Sequence, residues 1–310
     1  MTPPPPVITV VGSFAVGLTI RASKLPIFGQ TILGSDFDMG PGGKGSNQAI
    51  GTARLEANSS LVAIIGQDKL AEIAIELYGQ EGIDTRHLSR SEERATGVGF
   101  IILNEKGENL IILDMGANEL MDPAYVDSAE ALIAQSDIVM TVLEIPIPAA
   151  MRAMELGRKY GAKTILNPAP ATPLPDEIFS FVDYLTPNES ELRILLGLAP
   201  DDPRPSRELA SKLRERGIGS VIVTLGEQGT LVLTDHHDLN VPGCKADVVD
   251  TTGAGDAFNS GFAVALGEQR GLIEAVQFGC ACGALACTKL GVIPGLAYRE
   301  AADEMFSSQY

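Results

Sequence analysis

Two glycine-rich runs carry the residues with the plainest chemical capacity. In VVDTTGAGDAFNSGFAVALG, from Val248, a strand-like apolar run leads into Gly253-Ala254-Gly255, and Asp256 opens a helical pattern with a small, apolar face. Consecutive backbone amides at a helix N-terminus form a ready anion hole for a transferring phosphoryl group. A carboxylate at the same point can accept the proton of an attacking hydroxyl. Acids also favour helix starts as caps, and the residue types alone leave both roles open for Asp256. The second run, GPGGKGSNQAIGTA, sets four glycines in the six positions from Gly40, before a helical pattern beginning near Ser46. Such glycines let an anion or polar ligand approach the backbone closely; a structural turn is the alternative. The string also fits G-x-G-x-x-G, but a dinucleotide site wants that string after the first strand, with an acid roughly 20 residues on. Here the first strand ends near Gly12, and the later segment is the apolar Ile64–Ile65. A phosphate-binding P-loop fails as well, because Lys44 is followed by Gly45 in place of Ser or Thr.

The elements that must position these residues alternate along the chain. VITVVG from Val7, SLVAII from Ser60, DIVMTV from Asp137, KTILN from Lys163, VDYLTPN from Val182 and SVIVTLG from Ser220 are the continuous apolar runs of strands buried on both faces. Between them lie the helical periods QDKLAEIAIELYGQEG, DSAEALIAQS, IPAAMRAMELGRKYG and SRELASKLRERG, several ending in Gly. This alternation predicts an α/β sandwich with a mainly parallel sheet. Residues from about 14 to 39, and GVGFIILNEKGENLIILDMG from Gly97, contain strand patterns with no helix between them; the second reads as a hairpin around Asn104–Glu108. Together they predict a small antiparallel lid (about 14–39 and 97–115) within one domain spanning residues 1–310.

The 310 residues, 45% hydrophobic and 20% charged, suffice for a large core. The 33 Gly and 19 Pro stay below low-complexity composition, which excludes a collagenous, coiled-coil or mainly disordered chain. With 23 Lys and Arg against 40 Asp and Glu, the net charge of −17 opposes a nucleic-acid partner, since neutralising phosphates needs a basic face. No stretch approaches the roughly 20 apolar residues of a membrane span, and the start, MTPPPPVITVVGSF, has no basic segment of a secretory signal. A cytoplasmic protein without membrane partners is expected. Four cysteines fit a reducing compartment. Cys280, Cys282 and Cys287 lie in GCACGALACTKLG, a small-residue pattern that reads as helix packing and lacks the spacing of a zinc site. His87, His236 and His237 form no ligand cluster.

The two glycine-rich runs resemble the signatures of the ribokinase family of carbohydrate kinases, also called the PfkB family. GGKGSNQA is similar to its sugar-binding signature and DTTGAGDAFNSGF to its catalytic one. The likeness continues through GIDTRHL near Ile83, LNPAPA from Leu166, LTPNESEL from Leu185 and VTLGEQG from Val223, and so covers nearly the whole chain. It implies a three-layer α/β/α sandwich with a small antiparallel β lid. The implied activity is ATP-dependent phosphorylation of a sugar hydroxyl, assisted by Mg2+ and K+. On this resemblance Asp256 would be the base, and the amides of Gly253, Ala254, Gly255 and Asp256 the anion hole. Gly42, Gly43, Lys44 and Asn47 would line the sugar, joined by Glu144. Asn188 and Glu191 match the family's N-x-x-E motif, which organises nucleotide phosphates and magnesium, Glu191 acting through water; an N-cap with its partner three residues on accounts for the same pair. Thr224, Gly226, Gly229, Gly255 and Cys280 would border the nucleotide. Asp250, Thr252, Ala286, Lys289, Gly291 and Gly295 match the monovalent-cation loop. Family members often bury the lid against a partner's lid, which implies a homodimer and also answers the pairing hazard of free sheet edges.

One stretch departs from the pattern. After the first strand, the family's namesake carries an Asn and, two residues on, an Asp that hold sugar hydroxyls from the lid side. Here GSFAVGLTI places Ala15 and Gly17 at those positions. A substrate needing that carboxylate would lose its hydroxyl hydrogen bonds, so the resemblance implies intact phosphorylation machinery with changed specificity, toward a bulkier or branched sugar or a nucleoside. Arg21 and Lys24 read as solvated lid charges, or as contacts for an anionic substrate such as a sugar phosphate. The competing expectations are a nucleoside kinase on the same scaffold and a non-catalytic sugar-binding or regulatory protein; the intact Asp256, Gly253–Gly255 and Asn188–Glu191 weigh against the latter.

Overall fold

The computed structural model describes residues 4–104 and 109–310. The chain opens with β1 (Val7–Val11), followed without a helix by β2 (Ala15–Arg21) and β3 (Ser35–Gly42). α1 (Lys44–Arg54), β4 (Asn58–Gly66), α2 (Lys69–Glu81) and β5 (Asp84–Ser91) come next, then the helix-free pair β6 (Gly97–Leu103) and β7 (Asn109–Asp114). α3 (Pro123–Ser128), α4 (Glu130–Ile133), β8 (Ile138–Val142), α5 (Ile147–Tyr160), β9 (Lys163–Asn167) and β10 (Tyr184–Leu185) follow. After α6 (Glu189–Leu195), α7 (Ser206–Arg214), β11 (Ser220–Thr224), β12 (Thr230–Leu233) and β13 (Asp238–Val241), the chain ends in α8 (Ala254–Gly267), α9 (Leu272–Ala286), α10 (Val292–Gly295) and α11 (Arg299–Gln309).

The nine-stranded sheet runs β13-β12-β11-β10-β9-β8-β1-β4-β5, parallel from β11 to β5 and antiparallel at β12 and β13. Side-chain alternation splits its strands between two cores. Ile8, Val10, Leu61, Ala63, Ile65 and Met140 pack with α1, α8 and α9, while Val11, Val62, Ile64, Val139, Val221 and Val223 pack with α5 and α7. Helices therefore cover both faces, giving the expected α/β/α sandwich.

A second sheet, β3-β2-β6-β7, forms the lid. Its two outer pairings are antiparallel and the central β2–β6 pairing is parallel. The pairing of Leu103 with Asn109 closes the described part of the hairpin; residues 105–108 of the expected turn lie outside the described residues. Phe14 and Val16 are fully buried in the main core and Leu18 packs against it, which fastens the base of the lid to the body.

Three local expectations are corrected. α1 begins at Lys44, ahead of Ser46, because Gly43 is its N-cap at φ +90°, where a β-carbon would come within 2.8 Å of Phe14 Cα. DSAEALIAQS breaks at Ala129 into two short helices. Val248–Thr252, read as a strand, belongs to no strand, because the amides of Val249 and Asp250 both donate to the Cys287 carbonyl at 2.7 and 3.2 Å. Among the described residues no helix is long and apolar enough to cross a membrane.

Candidate active site

Open α/β sheets bind ligands beyond the C-terminal ends of their parallel strands, and these ends deliver most of the site. Ser13 follows β1, Glu144 follows β8, Asn167 closes β9, Thr186 and Asn188 follow β10, and Thr224 closes β11. Above them α1 packs against α8. Gly253 caps α8 at φ +81°, and a β-carbon there would stand 2.6 Å from Val292 Cγ1, so conformation and space both demand glycine. Asp256 lies in the first turn of α8 and is 4% exposed.

Two amides grip its carboxylate. Asn47 Nδ2 donates to Oδ2 at 2.8 Å, and Gln48 Nε2 donates to Oδ1 at 3.1 Å. The same Gln48 nitrogen donates to Asn167 Oδ1 at 3.0 Å. Asn167 Nδ2 then donates to the Thr186 carbonyl at 3.1 Å, Thr186 Oγ1 to Asn259 Oδ1 at 2.6 Å, and Asn259 Nδ2 to the Gly255 carbonyl at 2.8 Å. This chain of bonds ties α1, β9 and the segment after β10 to the first turn of α8. The amides of Gly255 and Asp256 precede any intrahelical acceptor. The Ala254 amide donates to the Thr251 carbonyl at 3.2 Å and so is engaged within the turn. The buried Asn47 keeps its Oδ1 without a hydrogen-bond partner among the described residues.

Lys44 is the cationic centre of the site. The negative charge of Asp256, with those of Glu144 and Glu191, holds its ammonium above the ordinary lysine range against the opposing effect of burial. No carboxylate lies within ion-pair distance of it among the described residues. Glu144 Oε2 accepts from Ser13 Oγ at 2.6 Å and from the Lys44 amide at 2.7 Å. Burial pushes the Glu144 carboxyl up, against the lowering effects of the Ser13 hydroxyl and the Lys44 charge. Burial likewise raises Glu191, which feels Lys44 and Asp256 across the site.

Beyond β10, Asn188 and Glu191 form a complete capping box on α6. Asn188 Oδ1 accepts from the Glu191 amide and Glu191 Oε2 from the Asn188 amide, both at 2.8 Å. Beside it an open cleft of about 410 Å³ is lined by Asn188, Ser190, Thr224 and Gly226 among others. Gly229, at φ +88°, abuts the Val241 and Pro242 backbone and closes the β11–β12 turn. Cys280 is buried with its sulfur 3.2 Å from Thr230 Oγ1, and Cys282 packs against Gly261. In the expected cation loop, Asp250 Oδ1 accepts from the Thr252 amide at 2.9 Å and its hydroxyl at 2.6 Å, and Oδ2 from the Gly291 amide at 2.9 Å. These bonds join the segment before α8 to the one after α9. Gly295 sits where a β-carbon would be 2.7 Å from the Ala286 carbonyl oxygen, while Lys289 is exposed.

The site thus brings together Gly42, Gly43, Lys44, Asn47, Glu144, Glu191 and Asp256. Sequence reasoning missed Ser13, Gln48, Asn167 and Asn259. The available signal was polarity inside runs otherwise built for burial: Gln48 beside Asn47 on a small-residue helix, and Asn167 at the end of an apolar strand.

Comparisons with known proteins agree with this geometry. The description "pfkB family carbohydrate kinase" matches residues 6–297. The chain is 37% identical to a ribokinase of Haemophilus influenzae over 293 residues, covering 94% of this chain and 96% of the relative. It is 34% identical to a deoxyribokinase of Salmonella typhi over 257 residues, covering 83% and 84% respectively. Its structure resembles that of an Arabidopsis thaliana ribokinase complexed with ribose and ATP, with TM-score 0.91, 29% identity, and 97% and 99% of the two chains covered.

Proposed function

The chain belongs to the pfkB family of carbohydrate kinases, and from that premise we propose that Asp256 is the base through which it transfers the γ-phosphoryl group of ATP to a sugar hydroxyl. It is an ATP-dependent sugar kinase. The observation that carries the residue roles is the buried Asp256 carboxylate, held at both oxygens by Asn47 and Gln48 in the first turn of α8. A sugar hydroxyl brought to that carboxylate gives up its proton as its oxygen attacks the γ-phosphorus and the bond to the ADP oxygen breaks. The free first-turn amides of α8 stabilise the charge that develops on the phosphoryl oxygens. Lys44 lies on the same side and adds positive charge; Asn47, Gly42, Gly43 and Glu144 hold the sugar.

The cleft beside Asn188, Thr224 and Gly226 suits the nucleotide. Glu191 fits a hydrated Mg2+, because it spends Oε2 on the Asn188 amide and no hydrogen bond to Oε1 occurs among the described residues. A magnesium ion there would neutralise phosphate charge. For K+, the bonds of Asp250 fix the loop whose backbone carbonyls, Ala286 among them, would face the ion. Lys289, Gly291 and Gly295 would contribute backbone to that loop, and Thr252 adds its amide and hydroxyl to the hold on Asp250. A single kinase unit, assembled as a homodimer through its lid and working in the cytoplasm, completes the reading; the apolar lid surface and four unpaired thiols support it.

The test is a coupled ADP-release assay with magnesium ATP against pentoses, hexoses, branched sugars, sugar phosphates and nucleosides, with and without potassium. Sugar-dependent release well above background is expected. ATP binding without release for any acceptor would return weight to a non-catalytic sugar-binding protein.

A further inference from the structure

The lid surface facing the site is a wall of backbone. Along β2, Val16 and Leu18 turn to the core at the base of the lid, and just before the strand Ser13 bonds Glu144 beside Lys44. By alternation Ala15 and Gly17 lie on the opposite side of the sheet from Val16 and Leu18, and Ala15 abuts Gly43, the N-cap of the helix that carries Lys44 and Asn47. The register aligns the neighbouring strands with them: Ala15 pairs with Gly42 and Gly97, and Gly17 with Gly40 and Gly99.

Most of these glycines are not needed by the chain itself. Gly17, Gly40, Gly42 and Gly99 do not have the positive φ that demands glycine. A β-carbon at Gly40 would meet nothing within 4 Å, and one at Gly17 would make only ordinary contacts, 3.6 Å to Ile101 Cδ1 and 3.7 Å to the Gly40 carbonyl oxygen. A β-carbon at Gly99 would be 3.2 Å from Leu113 Cδ2. Gly97 alone is sterically fixed, by Asn118 and Met115. Glycine within a strand costs stability and marks a place where something else approaches the backbone.

A second observation points to a ligand at the inner end of this wall. Asn47, one turn beyond Gly43 and 4% exposed, gives its Nδ2 to Asp256 and leaves Oδ1 without a partner among the described residues. A sugar hydroxyl donating to Oδ1 would lie beside Asp256, on the helix whose N-terminal end Ala15 abuts. The wall then gives the sugar's outward side empty space edged by Ile101 and Leu113, with no side-chain donor or acceptor from Ala15, Gly17, Gly40 or Gly99.

We infer that Ala15, Gly17, Gly40 and Gly99 determine specificity, and that the acceptor is a sugar carrying a carbon-rich substituent, such as a branched alkyl or a ring, on its lid-facing side. The inference rests on the kinase reading above and deepens it. Hydroxyls beside Gly17, Gly40 and Gly99 would meet no side-chain partner short of Thr19 and Asp38 one pair farther out, whereas an apolar group fills the space and packs on Ile101 and Leu113.

The experiment compares ribose with ribose derivatives bearing one methyl or phenyl group at C1, C2 or C3, on the native enzyme, Gly17→Leu and Gly40→Val. Both kcat/KM and the sugar-induced rise in thermal midpoint are read. At least one substituted sugar is expected to exceed ribose by about 10-fold or more in the native enzyme, and each variant to erase about that factor. Gly40→Val, placed where nothing lies within 4 Å, keeps the test valid if Gly17→Leu folds poorly. Ribose preferred over every derivative, or a native preference that both variants leave intact, would overturn the inference while leaving the kinase reading in place. Absence of turnover with every sugar would overturn the kinase reading. The midpoint shifts would then decide the wall alone: a derivative stabilising the native protein and neither variant supports it, and equal stabilisation of all proteins overturns it.

Discussion

At the scale of single residues, the site couples one carboxylate to a rigid amide frame. Asp256→Asn keeps the shape but cannot take up the hydroxyl proton, so kcat should fall about 10²- to 10⁴-fold while sugar binding persists; steady-state assays with a separate sugar-binding measurement check both. Gln48 is a positioning residue, since a single nitrogen holds both Asp256 and Asn167. Gln48→Leu releases the carboxylate to tilt, and kcat should drop by about 10- to 100-fold with KM for ATP unchanged. An equal loss in both constants would make Gln48 a general support of the fold. Glu144 separates charge from hydrogen bonding, because one oxygen accepts from both Ser13 and the Lys44 amide. Glu144→Gln keeps both bonds, whereas Glu144→Ala strands two donors at about 1–3 kcal/mol. The pH sign follows from burial, which raises the Glu144 carboxyl above 4.5. The folded chain retains a proton that the unfolded chain has released, so stability falls as pH rises from 4.5 through the folded value and is flat beyond. The midpoint of Glu144→Gln relative to native should therefore climb as pH rises above 4.5; a difference constant with pH would show that burial does not raise this carboxyl.

At the scale of elements, the turn into α8 combines an unusual backbone with close packing. Gly253→Ala forces a side chain into φ +81° and against Val292 Cγ1 at 2.6 Å. The expected cost is about 1–3 kcal/mol, with lower kcat as the first-turn amides shift. Adding Val292→Ala should recover the steric part and not the conformational part, which a double-mutant cycle by denaturant unfolding resolves. This turn was legible in the sequence, since glycines before an acid and a small-residue helix announce a tight helix start. The parallel strands were legible too, because burial on both faces leaves continuous apolar runs such as VITVVG and SVIVTLG. What could not be read was how buried polar atoms meet. Gln48 and Asn167 are 119 residues apart, and neither carries a local pattern naming the other. Val248–Thr252 misled for a related reason: its β-branched residues suit a strand, yet its amides are taken by the Cys287 carbonyl that faces them across the fold. The lid glycines were visible as residues, but only the register of β2, β3 and β6 aligns them into one wall.

At the scale of the whole molecule, the lid has two unlike faces, and one of them leaves large apolar side chains in solvent. Beyond Val16 and Leu18, which pack on the core at the base of the lid, Met39, Phe100 and Ile112 line up in a row across the same face of the sheet, with Ile20, Ile102 and Leu110 beside them. Phe100 is 51% and Ile112 62% exposed, in a chain whose net charge of −17 otherwise favours solubility. An exposed apolar face of this kind marks an interaction surface, and in the proposed homodimer a second copy would supply the matching one. Size decides what else must take part. Four strands at about 4.8 Å spacing and about six residues long cover roughly 19 by 20 Å, or about 400 Å². A stable interface needs about 800 Å² per partner, so the sheet alone falls short. The loop between β2 and β3 makes up the difference, since it holds Ile27, Phe28 and Leu33 largely in solvent. The native protein should therefore sediment as a dimer at micromolar concentration, and Phe100→Asp, at the centre of the row, as a monomer. Replacing Ile27 and Phe28 together by Ser should weaken association by about 100-fold or more, if each contributes the 1.5–3 kcal/mol of a buried large side chain. Retention of full affinity in that double variant would confine the interface to the sheet, and a monomeric native protein would leave the apolar face to some other partner.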